Sequence, residues 1–127
     1  MDRIIDEVLP VELKNNNVGR GSKWFPSAQI RRDIESLLRT LGHEREPFDT
    51  PVQVRVTRIL GRRQSYYDPD SVGRGVAKEL FDALVAVGWF RDDSWRWIRH
   101  VDYRQDASRR ADGPATRIEV FEWEGEL

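Results

Sequence analysis

A change of apolar period constrains this chain more than any other feature of it. Ile30, Ile34, Leu37, Leu38 and Leu41 recur at helical spacing, and beyond a connector with two prolines Val52, Val54 and Val56 alternate with Gln53, Arg55 and Thr57. The first pattern lays an apolar stripe along a helix, and the second gives a strand one buried face. Ser27 is placed to cap that helix and Gly42 to end it, while the strand runs to about Leu60.

The remaining elements follow from the same two periods. Ile4–Leu9 reads as a short strand, followed by Pro10 and a polar, basic, flexible loop from Lys14 to Lys23. Trp24-Phe25 reads as a staple ahead of the first helix. Ala77, Leu80, Phe81 and Leu84 form the buried stripe of a second helix closed by Gly88. Trp95, Trp97, Val101 and Tyr103 fall on one alternating face of a third strand, interrupted by Arg99, and Arg117–Trp123 reads as the last strand. The order β-α-β-α-β-β predicts one α/β or α+β domain over all 127 residues, a small mixed sheet with two helices. Although 34% of the residues are charged, five Trp, five Phe and three Tyr supply enough bulky apolar surface for it to fold.

Composition narrows the chemistry. The absence of Cys excludes disulfides and thiolate metal sites, and the two histidines, His43 and His100, are far apart in the chain, so a metal would have to sit on carboxylates. No apolar run approaches the roughly 20 residues of a membrane span, and MDRIIDEVLP lacks the character of a signal peptide. A soluble, cytoplasmic protein is expected, with no membrane partner. Both ends of the chain are acidic, whereas Lys14, Arg20, Lys23, Arg31, Arg32 and Arg39 face only Asp33 and Glu35, and Arg55, Arg58, Arg62 and Arg63 follow without an acid. Such clustering suits a polyanion such as DNA, or equally a solvated polar surface.

The acids carry the sharper signal. Asp68 and Asp70 flank Pro69, and Asp92-Asp93 lie beyond the second helix, so a strand-helix-strand return could bring the pairs together. Convergent carboxylates need a proton or a cation among them, and an all-oxygen set favours Mg²⁺ or Mn²⁺. The plainer reading makes them turn and cap residues. Lys78 carries a similar pair of readings: an ion pair with Asp82 one helical turn on, or an ammonium that offsets charge on a phosphodiester.

The run Arg62-Arg63, Asp68-Pro69-Asp70, Lys78-Glu79-Leu80-Phe81-Asp82-Ala83-Leu84, Gly88 and Asp92-Asp93 resembles the RusA family of Holliday junction resolvases, whose pattern is D-x-D-N, K-x-x-x-D-A-L, G and D-D in that order. Leu9-Pro10 and the Asn15-Asn16-Asn17 loop extend the resemblance over most of the chain. It implies a small mixed α/β domain forming a homodimer, and Mg²⁺-dependent endonucleolytic resolution of four-way DNA junctions. It makes Asp68, Asp70 and Asp93 the essential carboxylates and metal ligands, Lys78 the catalytic lysine and Asp92 an accessory acid. Lys14, Asn16, Arg20, Lys23, Arg62 and Arg63 are the candidate DNA contacts. The chain departs from the pattern at Ser71, where the family has Asn, and in an insertion near Ser71–Arg74. A catalytically weak module of the same fold that only binds branched DNA is the alternative. The two helical stripes with Trp95, Trp97 and the strand ending at Trp123 offer more bulky residues than so small a sheet should bury, which also predicts packing against a second copy.

Overall fold

A computed structural model describes residues 3–15 and 26–125. The elements are β1 (Arg3–Leu9), α1 (Ser27–Thr40), β2 (Val52–Ile59), α2 (Val76–Ala86), β3 (Ile98–Asp106), a short 3₁₀ turn over Arg110–Asp112, and β4 (Ala115–Glu122). They form one α+β unit in the order expected. The four strands make a mixed sheet in the order β1-β4-β2-β3, with β4 antiparallel to both β1 and β2, and β2 parallel to β3. That parallel pair requires a crossover, which α2 supplies.

The inward positions of β2, Val52, Val54 and Val56, are buried against Leu38 of α1 and Leu80 and Leu84 of α2 in one core. Trp89 closes one end of it, fully buried, with its indole N–H donating to the His43 carbonyl at 2.6 Å. Gly88 is what lets the chain turn there: its φ is +91°, and a Cβ would lie 1.8 Å from the Arg45 carbonyl oxygen. Among the described residues only Val8, Leu41, Tyr66 and Trp95 are large, apolar and exposed. The domain therefore buries more of its bulky side chains than its size suggests, Tyr66 and Trp95 being the main exceptions.

Two expectations are corrected. Ser27 is the first residue of α1 and not its cap; its hydroxyl donates to Glu79 Oε1 on α2 at 2.7 Å, tying the helices together. The third strand begins at Ile98, because Ser94–Trp97 is a turn. The Trp97 and Ile98 N–H groups both donate to the Ser94 carbonyl, and the Asp92 side chain accepts the Ser94 N–H at 2.8 Å. Arg99, which breaks the alternation in the sequence, is the extra residue of a β-bulge: Val52 faces Ile98, while the next residue, Gln53, faces His100. The bulge puts Ile98 on the same face as Val101 and Tyr103.

Candidate functional site

A pocket of about 240 Å³ lies along β3 beside the start of α2, lined by Gly73, Lys78, Phe81, Asp93, Ile98, Val101 and Tyr103. Its floor is the inward face of β3, aligned by the Arg99 bulge. Gly73 closes it against Tyr103: a Cβ there would come within 2.7 Å of the phenol ring. Burial pushes the Tyr103 hydroxyl above its ordinary range, so it stays protonated at neutral pH and can donate a hydrogen bond.

Lys78 and Asp93 are the sequence-predicted residues on this pocket. The insertion at Ser71–Arg74 forms turns, with Ser71 N–H donating to Asp68 O and Arg74 N–H to Ser71 O, and α2 starts only after Gly75. Lys78 thereby reaches the pocket from the first turn of α2. It also stands 3.8 Å from Asp82, the expected pair one turn on, with its side chain 77% exposed.

The other acids stand apart. Asp70 is exposed and pairs with Arg74 at 3.3 Å, Asp68 is exposed on the same loop, and Asp92 caps the Ser94 turn. The Ser94 hydrogen bonds hold the Asp92 carboxyl below its ordinary range. Among the described residues no three carboxylates or histidines form a group able to hold a metal ion. Topology gives the reason. In a parallel β2-α2-β3 unit the loop with Asp68 and Asp70 leaves the end of β2, whereas Asp92-Asp93 precede the start of β3, at the opposite end of the pair. The expected convergence of both acid pairs is not formed, and as they stand the four carboxylates do not fit a shared Mg²⁺ or Mn²⁺.

Three residues anchor the acid loop, Tyr67, Gln105 and Arg58, the last of which the sequence places in the basic run and the structure buries. Arg58, 2% exposed, occupies the next inward position of β2 after Val56, where its Nη1 donates to the Ser65 carbonyl and to Gln105 Oε1, both at 2.9 Å. Its guanidinium lies 3.5 Å over the Tyr67 ring. Gln105, its register partner on β3, binds the Tyr67 backbone through both ends of its amide. The readable signal was an arginine in phase with three core valines.

The candidate DNA contacts divide. Arg62 and Arg63 are exposed on a turn held by Arg110, whose Nη1 donates to the carbonyls of Gly61 and Gln64 at 2.7 and 2.6 Å. They form no ion pair with a described residue. Lys14 is exposed, and its carbonyl accepts the Val76 N–H at 3.0 Å, which brings the start of the basic loop to the N-terminus of α2. Gly75 permits that approach, with φ +76° and only 2.6 Å between an added Cβ and Lys14 O. Asn16, Arg20, Lys23 and the Trp24-Phe25 staple lie outside the described residues. No helix among the described residues is long and apolar enough to cross a membrane. Comparison with protein-family models and with curated proteins finds no match.

Proposed function

We propose that this protein is a RusA-like endonuclease that nicks branched DNA, four-way junctions above all, acting as a homodimer; Mg²⁺ is implied by the resemblance alone, since the four acids as they stand do not share one ion. The observation that carries the reading is the pocket, where Lys78 and Asp93 line one cavity whose rim includes Gly73 of the acid-bearing loop. A phosphodiester held there would have its charge offset by the Lys78 ammonium and would accept a hydrogen bond from Tyr103. Arg62, Arg63 and the basic loop from Lys14 through Arg20 and Lys23 would hold the flanking phosphates, which sets affinity and its dependence on salt. A twofold dimer suits a junction with two opposed strands to cut.

The separation of the four acids favours a second reading, the branched-DNA-binding module. One assay divides the two: incubation of the protein with a synthetic four-way junction, with and without Mg²⁺. Paired symmetric nicks that disappear in Asp70→Asn and Asp93→Asn, with binding equal or tighter because a negative charge is removed, support the nuclease. Junction binding without nicks supports the module.

A further inference from the structure

The Ser94–Trp97 turn leaves one large aromatic side chain in an unusual position. Trp95 is 62% exposed, yet it is not a loose surface residue, because the Arg99 guanidinium stacks on its ring at 3.9 Å. Two features of the backbone build this pair. The Asp92 side chain and the Ser94 carbonyl fix the turn that presents Trp95, and the β-bulge re-aims Arg99 out of the strand's alternation. Arg99 Nε and Nη1 are buried and make no hydrogen bond to a described residue. Buried guanidinium nitrogens without an acceptor are costly, and the π-face of the indole is the compensation on hand. The result is an indole backed on one side by a cation and accessible elsewhere, two residues from Asp93 and three from Ile98, both of which line the pocket.

We propose that Trp95, backed by Arg99, is a stacking platform for an unpaired base of the DNA strand whose phosphate enters the neighbouring pocket. A backed indole loses little freedom when a base is laid on it, and any base has a π-face to offer, so the contact selects unpaired over paired nucleotides without reading sequence. Arg96 adds positive charge on the same turn, exposed, lying over the Trp97 ring and close enough to Asp92 to act on its carboxylate. The inference rests on the branched-DNA reading and adds to it what the site would recognise: open bases at the branch point.

The test uses the full chain, a short oligothymidylate and a four-way junction, and compares wild type with Trp95→Ala and Trp95→Phe. Trp95 lies at the surface, so its truncation leaves no cavity, and denaturant melts check that both variants fold. The oligonucleotide should quench wild-type tryptophan emission, and Trp95→Ala should lack that quench. Trp95→Ala should bind both DNAs about tenfold more weakly with an unchanged salt slope, while Trp95→Phe stays within about threefold of wild type. Equal oligonucleotide affinity for Trp95→Ala and wild type overturns the proposal. So does dissociation of a dimer by Trp95→Ala at unchanged oligonucleotide affinity, which assigns the indole to a second copy. A wild type that shows the quench but never nicks a junction fails the nuclease reading and leaves the platform standing.

Discussion

Gln105 holds both backbone polar groups of Tyr67: its Oε1 accepts the Tyr67 N–H at 2.8 Å and its Nε2 donates to the Tyr67 carbonyl at 3.0 Å. One side chain thus does for the segment ahead of Asp68 what a neighbouring strand would do for an edge. The same Oε1 accepts from Arg58, so the amide is the hub of a part-buried network of strand, loop and guanidinium.

Gln105→Leu keeps the volume and removes the hub. Two backbone groups and one arginine nitrogen lose partners where water replaces them poorly, and each unsatisfied group costs about 1–3 kcal/mol. The urea midpoint should drop by the equivalent of about 2 kcal/mol or more at unchanged m-value. Junction nicking should fall further than the folded fraction accounts for, since Asp68 follows directly on Tyr67. A variant with wild-type stability would show that the loop is held from elsewhere.

Asp6 and Arg117 form a two-pronged pair across β1 and β4, at 2.8 and 2.9 Å. The Arg117 hydrogen bonds hold the Asp6 carboxyl below its ordinary value, more than offsetting its slight burial. A lowered folded pKa means that the stabilisation is complete above the unfolded value, near pH 4, and is lost as pH falls through the folded value. Both side chains are about one-third exposed, so the pair is worth only about 0.5–1 kcal/mol. Asp6→Asn should therefore be less stable than wild type by that amount at pH 7, and the gap should close as pH falls through the lowered folded value of Asp6. A constant gap down to acid pH would mean that the cost lies in packing.

The order of strands and helices was legible because each apolar set repeats at 2 or 3.6 residues, and a core between a sheet and two helices leaves those periods visible. Three features were not. The apparent alternation of Trp95 and Trp97 into Val101 and Tyr103 ignores Asp92, whose side chain diverts the backbone into a turn, and the bulge at Arg99 restores the phase only afterwards. Ser27 has the chemistry of a cap, but a partner far along the chain, Glu79, takes its hydroxyl. The acids looked convergent because spacing along a chain does not say which end of the sheet each loop occupies. Only the parallel pairing of β2 with β3 decides that, and it sets Asp68 and Asp70 apart from Asp93.

Glu79 is 4% exposed, with Oε1 bound to Ser27 and Oε2 without a partner among the described residues. Ser27→Ala should cost about 1–3 kcal/mol in chemical denaturation, because it removes the hydrogen bond that a buried carboxyl group receives from α1. Glu79→Gln keeps an oxygen for the Ser27 hydroxyl and buries no charge, so it should be neutral or stabilising. If Glu79→Gln proves the worse of the two, the carboxylate has a cationic partner beyond the described residues.

Lys78 offers the sharpest division between a structural and a chemical role, because it has both partners at once: Asp82 at 3.8 Å and the pocket it lines with Asp93. If the ion pair is its purpose, Lys78→Met and Asp82→Asn break the same contact and should act alike, each within about 0.5 kcal/mol of wild type, since an exposed pair contributes little. If the ammonium serves the pocket, the two variants diverge. Lys78→Met removes the charge facing the phosphodiester and should lower the nicking rate by about a hundredfold or more, the range seen when one electrostatic stabiliser of a transition state is deleted. Asp82→Asn leaves the ammonium in place and frees it from a competing carboxylate, so its rate should equal or exceed that of wild type. Single-turnover nicking of a junction, with denaturant melts of both variants alongside, separates these outcomes. Equal loss of rate in both would return Lys78 to the surface of α2 and leave the pocket without its cation.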